Sequence, residues 1–140
     1  MASFRVLIVD DEKDYLETLL KRMRKRGLDI TGIGSGEEAL NWLETNSVDV
    51  VVLDVRMPGM DGIKILREIK KSYPLVEVIM LTGHASTEVA IEGMELGAFD
   101  YLMKPVDFDE LLYKIEDAYK KKAIQEEKIK SMSRISVEKE

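Results

Sequence analysis

Apolar runs of strand length recur along this chain, each followed by apolar positions at helical spacing. "FRVLIVD" (Phe4–Asp10) reads as a first strand. Tyr15, Leu16, Leu19, Leu20 and Met23 then form one stripe at i, i+1, i+4, i+5 and i+8, which predicts a helix. Arg22, Arg24, Lys25 and Arg26 crowd its last turns, where cations suit the helix dipole, and Gly27 is placed to end it at C′. That basic cluster reads either as a solvated helix end or as a docking surface. "LDITGI" is a short second strand, and Ser35 with Glu38 three residues on forms a capping box for a helix carrying Ala39, Leu40 and Leu43. "VDVVVLD" (Val48–Asp54) is apolar on both faces, as expected of a strand covered on both sides. The loop "VRMPGMDG" leads to a helix with Ile63, Leu66 and Ile69 inward, ended by Pro74. "VEVIMLTG" is a fourth strand with a helix from about Ser86 to Leu96, and "FDYLMK" is a fifth. Asp107 with Glu110 caps a final helix through Leu111, Ile115, Ala118 and Tyr119.

Five βα units in succession imply an α/β fold, a parallel sheet with helices on both faces and right-handed crossovers. The expected architecture is a flavodoxin-like, doubly wound (βα)5 three-layer sandwich with sheet order 2-1-3-4-5. That order is taken by analogy with other five-stranded folds of this class, not from the pattern itself. Residues 1–122 make up this domain, and 123–140 form a charged C-terminal helical extension or linker. The extension holds neither glycine nor proline. A heptad counted from Leu111 places Leu111, Ile115, Ala118, Lys122, Gln125, Ile129, Met132 and Ser136 on its seam, which fails in the middle and recovers briefly. A short dimer arm and a frayed, solvated helix are both compatible with it.

Composition narrows the class. At 140 residues, 45% apolar and 34% charged, the chain suits one soluble domain with a sizeable core. No apolar run approaches the ~20 residues of a membrane span. The N-terminus enters a strand almost at once, which leaves no room for a signal peptide and points to the cytoplasm. There is no cysteine, hence neither a disulfide framework nor a thiolate metal site. A net charge of −6 argues against nucleic acid as a direct partner of this chain.

In a doubly wound fold the informative residues sit where strands stop. Those ends carry Asp10 and Asp11, Asp54, Thr82 and Lys104. Each has an ordinary explanation: Asp11 as a helix cap, Asp54 in a turn, Thr82 before the Gly83 turn, Lys104 in solvent. Those explanations leave Asp10 without a partner and the convergence of three acids and one base to chance. Hard oxygen donors in this number suit Mg²⁺, and His84, the single histidine, offers no zinc set. A hydroxyl and an ammonium beside a carboxylate-held cation are what a phosphoryl group needs around its oxygens. One carboxylate would then be the nucleophile, with Asp54 favoured by its place on the central strand.

"VLIVDDE", "VVLDVRMPGMDG", "MLTGHA" and "GAFDYLMKP", in this order and spacing, closely resemble the receiver domain of bacterial two-component response regulators. The wording is most similar to receivers of the nitrogen-regulator, sigma-54-activator class, and the resemblance covers roughly Phe4 to Lys120. It implies that Asp54 is the phosphoacceptor, that Asp10, Asp11, Asp54 and the backbone carbonyl of Arg56 hold Mg²⁺, and that Thr82 and Lys104 bind the phosphoryl group. It further implies a cis Lys104–Pro105 bond and a switch pair of Thr82 and Tyr101. Arg56 and His84 match two variable positions that tune the lifetime of the phosphorylated form, and their bulk suggests slower access of water.

The implied function is a phosphorelay switch that catalyses only its own phosphorylation and dephosphorylation. A sensor histidine kinase donates the phosphoryl group, and the helix 4/strand 5/helix 5 face then changes to control a partner or attached output domain, with a phosphorylation-dependent homodimer as one form of output. Gly93 inside helix 4 either leaves that helix marginal or meets a packing need. About 20 residues after the receiver are too few for an output domain, so the chain reads as a stand-alone receiver or as one cut from a longer regulator. A phosphohydrolase of the haloacid-dehalogenase kind is the rival chemistry. It wants a second aspartate two residues after its nucleophile, where this chain has Arg56. A receiver-like binding module that takes no phosphate is the rival without chemistry; the complete acid, threonine and lysine set speaks against it.

Overall fold

The computed structural model describes residues 4–57, 60–83 and 87–139. Strand and helix alternate along it: β1 (Arg5–Val9), α1 (Lys13–Lys25), β2 (Asp29–Ile33), α2 (Gly36–Leu43) and β3 (Val50–Asp54). A two-residue ribbon, β4 (Arg56–Met57) with β5 (Met60–Asp61), precedes α3 (Gly62–Ser72). Then follow β6 (Glu77–Thr82), α4 (Thr87–Glu95), β7 (Asp100–Met103) and α5 (Phe108–Lys139). The five main strands form one parallel sheet in the order β2-β1-β3-β6-β7. Counted over those five strands, this is the expected order 2-1-3-4-5.

Side chains alternate across each strand, and the alternation builds two cores. Leu7, Val9, Val51, Leu53, Val78 and Met80 point to the face covered by α2, α3 and α4. Val6, Ile8, Val50, Val52, Ile79 and Leu81 point to the opposite face, covered by α1 and α5. The inner strands are buried on both sides, which is why they read as unbroken apolar runs. Among the described residues, no helix is long and apolar enough to cross a membrane.

Local signals act as their chemistry dictates. Ser35 Oγ accepts the Glu38 N–H at 3.2 Å and Asp107 Oδ2 accepts the Glu110 N–H at 3.1 Å, each satisfying an otherwise unpaired first-turn donor. Gly27, at φ 83°, ends α1 with its N–H on the Arg24 carbonyl and the Leu28 N–H on the Met23 carbonyl, a Schellman arrangement. One expectation shifts. β3 begins at Val50, not Val48, because Asp49 is occupied with the start of β1: its N–H donates to the Arg5 carbonyl and its carboxylate accepts the Arg5 N–H. The last helix, α5, continues from the domain into the tail over 32 residues. Lys122 bonds Asp49 Oδ1 at 2.7 Å and Lys121 lies 3.3 Å from Glu77 Oε2, so α5 is pinned to the amino ends of β3 and β6.

At two glycines an added side chain would meet a close neighbour. A Cβ at Gly93 would overlap the Met80 thioether, the flexible end of a buried side chain that would have to shift to admit it. A Cβ at Gly62 would overlap the Val55 backbone, which cannot swing aside as a side chain can. Gly62→Ala is expected to lower stability by about 1–3 kcal/mol. Urea unfolding should show this as an earlier midpoint with unchanged slope. An unchanged midpoint would mean that α3 can slide away from Val55 without cost.

Candidate functional site

Four strand ends assemble the site. Asp10 directly follows β1, Asp54 ends β3, Thr82 ends β6 and Lys104 directly follows β7. The register Val9↔Leu53, Asp54↔Leu81 and Thr82↔Met103 sets these residues along one rim of the sheet. The backbone holds them there. The Asp10 N–H donates to the Ile33 carbonyl at 3.1 Å, and the Lys104 N–H donates to the Thr82 carbonyl at 2.7 Å. Asp10, Asp54 and Thr82 are at most 3% exposed. The Lys104–Pro105 peptide bond is cis.

Two buried like charges side by side need a cation. Lys104 supplies it: Nζ lies 2.7 Å from Asp10 Oδ2, 2.6 Å from Glu12 Oε1 and 3.4 Å from Asp54 Oδ2. It also lies 4.6 Å above the Tyr15 ring centre, within cation–π range. Burial acts to lower the Lys104 pKa, but the contacts with Asp10 and Glu12 and the charge of Asp54 outweigh it and hold the ammonium above the ordinary lysine range. Burial, with the surrounding carboxylates, raises the Tyr15 phenol; Lys104 opposes that shift.

The site fits a hard divalent cation. Asp10, Glu12 and Asp54 each offer a carboxylate oxygen within 4.8 Å of the others. Asp10 Oδ1 accepts the Glu12 N–H at 2.9 Å, whereas buried Oδ2 is ion-paired with Lys104 and has no well-directed hydrogen bond among the described residues. An oxygen in that condition has coordination capacity to spare.

Of the sequence-predicted residues, the structure brings together Asp10, Asp54, Thr82 and Lys104. Asp11 is exposed and outside this carboxylate group, and it does not cap α1, whose N-cap is Glu12 with no side-chain cap bond. The Arg56 backbone begins the β4–β5 ribbon two residues after Asp54. Tyr101 is half-buried and packs against the core on the α2, α3 and α4 face, which Val89 and Leu96 also join. His84 and Ser86, the expected start of the fourth helix, lie outside the described residues. Glu12 was missed. Its signal was present as the third consecutive acid of Asp10–Asp11–Glu12, but only the fold shows its side chain turned to Lys104.

The sequence of residues 6–116 matches the family described as "Response regulator receiver domain". Among curated relatives, the DNA-binding transcriptional regulator NtrC of Klebsiella pneumoniae is 40% identical over 111 residues, 79% of this chain and 24% of that protein. The transcriptional regulatory protein ZraR of Escherichia coli (strain K12) is 40% identical over 113 residues, 81% of this chain and 26% of that protein. This chain thus spans about a quarter of the length of these relatives. A crystallised response regulator receiver domain protein from Clostridium thermocellum superposes with a TM-score of 0.82 at 39% identity, covering 87% of this chain and 98% of that one.

Proposed function

This chain belongs to the response regulator receiver domain family, and from that premise we propose that it takes a phosphoryl group onto Asp54 and passes the signal on through its α4/β7/α5 face. One observation carries the assignment: Asp10, Asp54 and Lys104 meet at adjoining strand ends, two buried carboxylates sharing one ammonium. Asp54 stands on the central strand, between the acidic side and the Thr82–Lys104 side. The donor is a phosphohistidine on a sensor histidine kinase. An Asp54 carboxylate oxygen attacks phosphorus, the new O–P bond forms as the P–N bond breaks, and the electron pair leaves with the imidazole nitrogen. Lys104 neutralises charge on the transferring oxygens, and the Thr82 hydroxyl donates to one of them. Asp10, Asp11 and Asp54, with the Arg56 carbonyl, would hold Mg²⁺. When bound, the ion would supply further charge neutralisation at the phosphoryl oxygens. Water later cleaves the mixed anhydride, so the signal has a lifetime, which Arg56 and His84 tune.

Output is a population shift between two conformations. Thr82 follows the phosphoryl group, and Tyr101 turns inward into the space it leaves. Residues 1–122 act as the receiver and 123–140 as a helical linker to an output domain or as a dimer arm. The relatives named above support an attached output domain, as regulators roughly three times this length. The protein works in the cytoplasm.

Intact mass after incubation with acetyl phosphate tests the chemistry. A single phosphoryl addition is expected with Mg²⁺ and none with chelator. Should the product hydrolyse too fast to see, beryllofluoride with Mg²⁺ is expected to bind and perturb the Tyr101 resonances. Failure of both would leave a receiver fold used only for binding.

A further inference from the structure

Glu12 lies within the site, yet the proposed transfer gives it no necessary task. Its backbone N–H is bound by Asp10 Oδ1, and its side chain does not cap α1. That side chain reaches instead to Lys104, at 2.6 Å one of the two shortest contacts the ammonium makes. The two short contacts, with Glu12 and Asp10, both lie on the α1 side, where the ammonium also sits over Tyr15. The contact with Asp54 is longer, at 3.4 Å. In this state Lys104 still reaches Asp54, but that hydrogen bond is the longest of its three carboxylate contacts, and the ammonium is drawn toward the α1 side.

We propose that Glu12 is a positioning residue, a tether that keeps Lys104 parked beside α1 and must be released before the ammonium can serve the phosphoryl group. The proposal rests on the assignment of Asp54 as phosphoacceptor. A divalent cation on Asp10 would take over that carboxylate's charge and loosen one of the two short holds on Lys104. Glu12, more exposed and farther out, would keep the other. The tether thus slows the last movement that the transfer requires, by the modest amount an exposed ion pair can supply.

Two measurements separate this role from its alternatives. In Mg²⁺-free protein, the Lys104 ε-methylene resonances should be shifted upfield by the Tyr15 ring. Glu12→Gln should move them substantially toward the values of an unstacked lysine. Glu12→Asp keeps the charge but is one methylene short, and should behave like Glu12→Gln. At saturating Mg²⁺ the phosphorylation rate with acetyl phosphate should rise about two- to fivefold in both variants, with Mg²⁺ affinity by calorimetry changed less than about twofold. Unmoved Lys104 resonances, a slower rate, or Glu12→Asp indistinguishable from wild type would each overturn the tether. A roughly tenfold loss of Mg²⁺ affinity would overturn it in favour of Glu12 as a metal ligand. If the wild-type protein takes no phosphoryl group at all, the Asp54 assignment fails, while the resonance shifts still decide whether Glu12 holds Lys104.

Discussion

Asp54→Asn is expected to abolish phosphoryl uptake, with no adduct detectable by intact mass under conditions that modify the wild-type protein. The substitution keeps the shape of a residue that is 3% exposed and replaces a carboxylate by an amide. An amide oxygen is a poor nucleophile, and its adduct would not be the mixed anhydride that gives the signal its lifetime. Asp10 is not an adequate substitute. Its Oδ1 accepts the Glu12 N–H and its Oδ2 is paired with Lys104 at 2.7 Å, so neither oxygen is poised to attack. The variant should also fold. In metal-free buffer it should unfold at an equal or higher urea concentration than the wild type, because three carboxylates around one ammonium become two. Loss of the adduct with stability retained would mark a chemical role. An adduct that survives in Asp54→Asn would move the phosphoacceptor to another carboxylate.

Much of this site was legible in the chain, for a physical reason. A buried parallel strand is a run of apolar residues, and it stops where the first side chain must meet water or another charge. The ends of β1, β3 and β6 therefore announce themselves as Asp10, Asp54 and Thr82, and Lys104 closes "FDYLMK" in the same way. The fold's crossovers then do the gathering. What stayed hidden depends on side-chain reach and on contacts far apart in sequence. Asp11 and Glu12 are both acids beside Asp10, and only the turn into α1 decides that one faces solvent while the other meets Lys104, 92 positions away. Gly62 looks like any loop glycine until Val55 is found against it. The tail pattern allowed a frayed helix or a dimer arm. Its continuity follows in part from Lys121 and Lys122 meeting Glu77 and Asp49, pairings that no periodicity encodes. The heptad seam breaks at Lys122 because that side chain is directed to Asp49 at the sheet, and the apolar residues beyond it, Ile124, Ile129 and Met132, are exposed.

Lys104→Met should cost the metal-free protein about 3–5 kcal/mol of stability. The methionine fills much of the same space, so the loss is electrostatic. Asp10 and Asp54, both nearly inaccessible, would be left side by side without the cation that now sits 2.7 and 3.4 Å from them. Breaking a buried pair by removing one partner costs far more than the pair contributes, because the remaining charges cannot recover their hydration. Urea unfolding in chelator should show the deficit. Mg²⁺ should recover most of it, and should stabilise the variant more than the wild type, whose ammonium competes for the same carboxylates. The pH dependence has a definite sign. Folding raises the Lys104 pKa, so the stability it contributes is fully present below the ordinary lysine value. That contribution disappears only as pH climbs through the still higher folded value. The gap between wild type and variant in chelator should therefore stay constant from pH 7 to about pH 10. A gap that closes within that interval, or a variant as stable as the wild type in chelator, would mean that something other than Lys104 offsets the buried carboxylates. The ammonium would then be free to serve the phosphoryl group from the outset, and the tether through Glu12 would have nothing to restrain.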